Sequence, residues 1–170
     1  AWSIRSTDGG RTWSAPVPLN GPPAIGLKYD VAEATANLQT KQGKVLSLLR
    51  PVYSAWAWEV WSDNNSQSWG PATCGPFPTY ENRALTTASG ALLIGGRMPG
   101  TGLHVSHDSG MSWKHYQVDT AIWTGGAMYE VEPDVVLWIY EGEYPPNPDA
   151  RAQFIRVTPE GLEPAREMLL

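Results

Sequence analysis

Apolar residues in this chain come in short bursts, each stopped by glycine, proline or a Ser/Asp cluster. Val45-Leu46-Ser47-Leu48-Leu49, Ala91-Leu92-Leu93-Ile94 and Val135-Val136-Leu137-Trp138-Ile139 are too short for ordinary helices. None carries a sustained i, i+3, i+4, i+7 stripe, and apolar runs bounded by turn residues read as strands. Each burst sits in the same larger frame. Glu33-Ala34-Thr35-Ala36-Asn37-Leu38 leads through Gly43 into the run ending at Arg50, and Glu81-Asn82-Arg83-Ala84-Leu85-Thr86 leads through Gly90 into the run ending at Arg97. Gly125-Gly126-Ala127-Met128-Tyr129 leads through Asp134 into the run ending at Glu141. From turn residue to terminal charged residue the count is seven in all three. That pattern predicts hairpins in one register.

A second motif recurs between these frames. Ser6-Thr7-Asp8-Gly9-Gly10-Arg11-Thr12-Trp13 is repeated from Ser62 to Trp69 and from Ser106 to Trp113, following Ser-x-Asp-x-Gly-x-Thr-Trp. The Ser hydroxyl and Asp carboxylate accept backbone hydrogen bonds within such a turn. Gly10 and Gly110 supply the positive φ it requires. Trp13, Trp69 and Trp113 are expected under the turn as apolar anchors. The middle copy is worn, with Asn64 for Asp, Ser66 for Gly and Ser68 for Thr.

Frame and turn together predict a unit of four short strands, and radial repetition of four-stranded sheets makes a β-propeller. The expected fold is therefore all-β, a propeller of antiparallel four-stranded blades, with about three and a half blades in this chain. A half blade falls at 1–20, then blades at about 28–78, 80–118 and 123–170, as one partial domain of 170 residues. Three and a half blades do not close a ring. Either further N-terminal blades complete it, or the open edges pair with another copy.

Composition narrows the function classes. The chain has 17 glycines and 15 prolines, as an all-β chain punctuated by turns needs, and a net charge of −5 with no basic stripe to neutralise phosphates. Nucleic acid is not expected as a partner. No apolar run is long enough to span a bilayer. The histidines His104, His107 and His115 bracket the third turn without metal-ligand spacing, so neither metal nor cofactor is expected. His107 and His115 are expected beside an exposed turn.

The repeated turns and the strand frame resemble the sialidase (neuraminidase) superfamily, whose six-bladed propellers carry such turns as Asp boxes (BNR repeats) between the third and fourth strands of a blade. The resemblance covers nearly the whole chain and is to the C-terminal half. It implies that Ser6, Asp8, Gly10, Trp13, Ser62, Asn64, Trp69, Ser106, Asp108, Gly110 and Trp113 are structural, on the rim away from the active site. It also implies carbohydrate, of an anionic kind, as the ligand, a glycoside hydrolase as the activity, and a secreted or periplasmic location.

Chemistry is then expected where first strands begin and second strands end. Sialidases grip the substrate carboxylate with three arginines, and Arg50 and Arg97 fall near two of those positions. Glu33 falls near the glutamate that activates the nucleophile; Glu81 repeats its place beside Arg97. Glu141 falls where a family glutamate orients an arginine. The competing reading makes Glu33/Arg50 and Glu81/Arg97 inter-strand ion pairs that tie the sheets together. The family's tyrosine nucleophile is expected where this chain reads Trp123-Thr124-Gly125-Gly126-Ala127-Met128, and Tyr129 lies a few residues on. The acid/base aspartate and the remaining arginine belong to early blades outside this chain. The alternative function is a non-catalytic Asp-box propeller that binds glycans or proteins. Trp56, Trp58 and Trp61 are read mainly as core, with one or two able to stack on a sugar.

Overall fold

The computed structural model describes residues 1–19, 31–51, 56–78, 80, 83–120, 126–142 and 149–166, and of residues 31–35, 51 and 166 the backbone alone. Glu81 and residues 123–125 fall outside this set. Among the described residues every regular element is a β-strand, and none forms a helix long and apolar enough to cross a membrane.

The chain forms two compact units, Ala1–Pro78 and Thr79–Leu170. The first unit holds a two-stranded sheet, β1 (Trp2–Ser3) with β2 (Val17–Pro18), and a four-stranded sheet. The strands of the latter are β3 (Val31–Gln39), β4 (Val45–Pro51), β5 (Trp56–Ser62) and β6 (Thr73–Pro78). The second unit holds two four-stranded sheets. One is β7 (Arg83–Thr86), β8 (Leu92–Gly96), β9 (Gly102–Ser106) and β10 (Lys114–Gln117); the other is β11 (Ala127–Glu132), β12 (Val135–Glu141), β13 (Ala150–Thr158) and β14 (Gly161–Arg166). Each four-stranded sheet is an antiparallel meander in sequence order. Antiparallel neighbours are what short connections permit. Half a blade followed by three blades is thus the architecture.

The hairpins that open the first two full sheets share their wiring. Thr40 N–H donates to Lys44 O at 2.9 Å and Gly43 N–H to Thr40 O at 2.9 Å; Thr87 N–H and Gly90 N–H repeat these bonds to Ala91 O and Thr87 O at 2.9 and 2.8 Å. Gly43, Gly90 and Asp134 all have positive φ, of 84°, 95° and 60°. The equal counts from these residues to Arg50, Arg97 and Glu141 therefore correspond to one strand position.

The second unit's core joins both of its sheets: Leu93, Leu103, Val105, Met128, Val136, Trp138, Tyr140 and Ile155 form one buried cluster. β8 and β9 are buried at every residue, which explains why their apolar runs do not alternate. In the first unit Leu19, Leu49, Val60, Trp69 and Ala72 cluster, with Val17, Val45 and Trp58 against them.

The three Ser-x-Asp/Asn turns are superimposable in their bonding. Ser6 Oγ donates to Asp8 Oδ1 (2.8 Å) and accepts from Gly10 N–H (2.8 Å), while Asp8 Oδ1 accepts from Thr12 N–H (2.9 Å). Ser62, Asn64, Ser66 and Ser68 repeat this at 3.0, 2.9 and 2.9 Å. Ser106, Asp108, Gly110 and Ser112 repeat it at 2.8, 2.8 and 2.9 Å. Each turn carries two consecutive positive-φ residues, Gly9–Gly10, Asn65–Ser66 and Ser109–Gly110. The worn copy keeps the geometry: Ser66 adopts the left-handed backbone at φ 61°, and Asn64 still presents an acceptor.

The tryptophan anchors differ from expectation. Trp69 is buried at 8% exposure, Trp113 is half-buried, and Trp13 is 58% exposed. Trp69 is covered by the neighbouring two-stranded sheet, whose Ser3 Oγ accepts its indole N–H at 2.9 Å. An intact motif does not bury its own tryptophan; a neighbouring sheet does.

Candidate functional site

Glu33 and Arg50 are direct cross-strand partners on β3 and β4. Arg50, half-buried, sits at the end of β4. The equivalent position in the next sheet is Arg97, one residue beyond β8 and also half-buried. Its N–H donates to Tyr80 O at 3.4 Å, and its guanidinium carbon lies 4.0 Å from the centre of the Tyr80 ring. Glu81, expected beside Arg97, lies outside the described residues. Glu141 ends β12 opposite Ala150 and is exposed. Arg97 and Glu141 thus occupy corresponding ends of the second unit's two sheets, and Arg50 the same strand position in the first unit.

The stretch expected to carry a nucleophilic tyrosine is described from Gly126 onward. Gly126 has φ of 89°, and a Cβ there would overlap the carbonyl oxygen of Ile139. No side chain fits at this position. Tyr129, the next phenol along, is 59% exposed on β11. Arg83 Nε donates to Gly126 O at 2.6 Å, fixing the start of β11 against β7.

One phenol does meet a carboxylate, at a place the sequence pattern did not single out. Tyr140 O–H donates to Asp119 Oδ2 at 2.7 Å and accepts from Gln153 Nε2 at 2.9 Å. Arg151 Nη1 donates to both oxygens of Asp119, at 3.1 and 3.0 Å, and its Nε to Asp149 at 2.9 Å. These residues border an open cleft of about 480 Å³. Tyr140 is not poised for attack. Burial first, then its bond to Asp119, and then the Asp119 charge push its pKa upward, so the phenol stays protonated. Its hydrogen bonds to Asp119, on the segment after β10, and to Gln153 on β13 make it a tie between sheets.

Asp8 and Asp108 are committed to their turns. Thr12, through its hydroxyl and then its N–H, with Ser6 next, holds the Asp8 carboxyl down to about 2. The Ser112 hydroxyl leads the same effect at Asp108, also to about 2. Both are acceptors rather than proton donors at neutral pH. His104 is buried, with its Nε2 3.1 Å from Met98 O, and His115, on β10 directly after the third turn, is its cross-strand partner, the rings 4.8 Å apart. Among the described residues no group of three or more His, Cys, Asp or Glu could hold a metal ion. Trp58 packs on the first unit's core, whereas Trp56 is 47% exposed.

No protein-family model and no curated protein matches the chain. Solved structures do. A crystal structure of a protein of unknown function from Dyadobacter fermentans matches over 90% of this chain with TM-score 0.68 and 19% identity, covering 44% of that chain. The Hadza microbial sialidase Hz136 matches over 95%, with TM-score 0.66 and 18% identity, covering 39% of its own chain. A structure of NanB with Optactamide matches over 92%, with TM-score 0.59 and 16% identity, covering 26%. The fold is sialidase-like. The chain spans less than half the length of each of these structures.

Proposed function

We propose that this sialidase-like segment recognises an acidic carbohydrate, with Arg50 and Arg97, each in its own unit, as substrate-binding arginines. The observation that carries the reading is the shared strand position of the two arginines on successive sheets of a sialidase-like fold. A guanidinium presents paired donors in the geometry of a carboxylate's two oxygens, which a lysine does not. Glu33, Glu81 and Glu141 serve in this reading as neighbours that orient the arginines, and Glu33 as the group that activates a nucleophile if the complete protein hydrolyses its ligand. The three Ser-x-Asp/Asn turns serve as structural corners of the Asp-box type.

A second form of the reading, binding without cleavage, draws support from Gly126. In the stretch where a nucleophilic tyrosine is expected, this position has no room for any side chain. A panel of fluorogenic glycosides, including an N-acetylneuraminoside, separates the two forms. Turnover lost in both Arg50→Ala and Arg97→Ala supports hydrolysis. Binding of the acidic sugar without turnover, weakened roughly tenfold or more in each variant as charge-assisted hydrogen bonds disappear, supports the binding form. Affinity and turnover unchanged in both variants would overturn the proposal.

A further inference from the structure

We infer that the cleft beside the second, Asn-bearing turn is a binding site for a neutral pyranose, with Trp61 as its stacking face and Asp63, Asn64 and Ser68 as its polar rim. The cleft lies within the first unit, has a volume of about 450 Å³, and is bordered by these four residues together with Pro71 and Thr73. Sites for small ligands run from about 300 to 1,000 Å³. None of these residues takes part in the acidic-carbohydrate reading.

Three of the four occur in this copy of the turn and in neither of the others. Trp61 stands where the first and third copies have Arg5 and Val105, Asp63 where they have Thr7 and His107, and Asn64 where they have Asp8 and Asp108. Residues 70–72 also separate Trp69 from β6, whereas β10 follows Trp113 at once. Gly70 N–H ties that segment to Trp61 O at 2.8 Å. The departures of the worn copy thus gather around one cleft.

The exchange of Asp for Asn changes what the turn offers outward. In the third turn the Ser112 hydroxyl donates to Asp108 Oδ2, so its proton is used inside the loop. In the second, Ser68 N–H donates to Asn64 Oδ1 at 2.9 Å, which turns the amide nitrogen toward Ser68 Oγ. That bond runs from Asn64 Nδ2 to Ser68 Oγ at 2.7 Å. The Ser68 proton and the second Nδ2 proton are then left to donate to a ligand oxygen. Asp63 is exposed and pairs with Lys44 through Oδ1 at 2.9 Å, which leaves Oδ2 to accept. Trp61 is half-buried, and its indole N–H donates to Glu59, which also accepts from Thr73 Oγ1 at 3.4 Å. The bond to Glu59 fixes the ring plane at the cleft. A fixed indole face edged by donors and a carboxylate suits a sugar ring, whose C–H face packs on the indole while its hydroxyls donate and accept. The Asp63 charge disfavours a carboxylated sugar at the same place.

The test titrates the intact protein with methyl β-D-galactopyranoside and methyl β-D-glucopyranoside. Calorimetry gives the affinity, and the indole N–H resonance of Trp61, assigned through its loss in Trp61→Phe, gives the location. At least one glycoside is expected to bind with Kd on the order of 1 mM, as befits a ligand of this size, and to shift that resonance. Trp61→Ala should weaken binding roughly tenfold, and Trp61→Phe, which keeps an aromatic face, should retain most of it. Asn64→Asp draws the Ser68 proton back into the turn and should weaken binding roughly fivefold, the loss of outward hydrogen bonds. Its midpoint of urea unfolding should not fall, which separates lost binding from lost structure. Failure of both glycosides to bind or to shift the Trp61 resonance overturns the inference and leaves the arginine-based reading standing. Affinity unchanged in Asn64→Asp overturns it too, because the amide then has no part in recognition.

Discussion

The first and second Ser-x-Asp/Asn turns make an instructive pair. The first has the complete motif, with Asp8, Gly10 and Thr12, yet its tryptophan is 58% exposed. The second has lost three of those letters, yet its tryptophan is 8% exposed and hydrogen-bonded to Ser3. The two share the bonds from Ser to Asp/Asn and from the backbone N–H groups to both side chains, and differ in the direction of one side-chain bond, Thr12 to Asp8 in the first and Asn64 to Ser68 in the second. What differs is the presence of a sheet against the tryptophan. Motif letters determine the shape of the loop, and its surroundings determine how much energy its anchor contributes.

The comparison breaks most directly at the two tryptophans. Trp69→Ala removes a buried indole and its hydrogen bond to Ser3, and should cost about 3–5 kcal/mol by urea unfolding. Trp13→Ala, at an exposed site, should stay within about 0.5 kcal/mol. Equal losses would show that the turn, not the neighbour, supports the anchor.

A smaller effect is expected inside the turns. Asp108→Ala removes acceptors for Ser106, Ser112 and the Ser112 backbone, and should cost about 1 kcal/mol at neutral pH, the low end for hydrogen bonds at an exposed site. Because the Asp108 pKa falls in the folded protein from 3.8 to about 2, the unfolded chain binds its proton first as the solution is acidified. The carboxylate's contribution is therefore complete above about pH 4 and is lost as pH falls toward about 2. Wild type and Asp108→Ala should converge in stability over that window. A difference that persists undiminished at pH 2 would assign the loss to something other than the carboxylate.

The smallest expected change comes from repairing the worn turn. Asn64 Nδ2 now donates to Ser68 Oγ at 2.7 Å, where in the third turn Ser112 Oγ donates to Asp108 Oδ2 at 2.5 Å. Asn64→Asp reverses the direction of that bond and should stabilise by about 0.5 kcal/mol at pH 7, with the gain lost below about pH 4. Thermal unfolding at pH 7 and pH 3 checks both signs. Destabilisation at pH 7 would mean that the worn copy is tuned to its amide.

The candidate site was legible to different depths. The count of seven from Gly43 and Gly90 located Arg50 and Arg97 because hairpin register is set by a local turn and by side-chain alternation. The contact of Arg83 with Gly126 was not legible although Arg83 sits in the same quoted frame, because its partner is 43 residues away. The Tyr140–Asp119–Arg151 network was likewise invisible, with partners 21 and 32 residues apart and no periodicity to link them.

By itself, then, the sequence determined the strands, the hairpin registers and the wiring of the three corner turns. Each of these is closed by hydrogen bonds among residues a few positions apart, which the chain specifies wherever it is placed. Tertiary structure alone decided which tryptophan is buried, which arginine is anchored, and which phenol meets a carboxylate. Those outcomes depend on surfaces brought together from distant sheets, as Trp69 and Ser3 are across 66 residues, and the free energy of burial belongs to the pair of surfaces rather than to either segment.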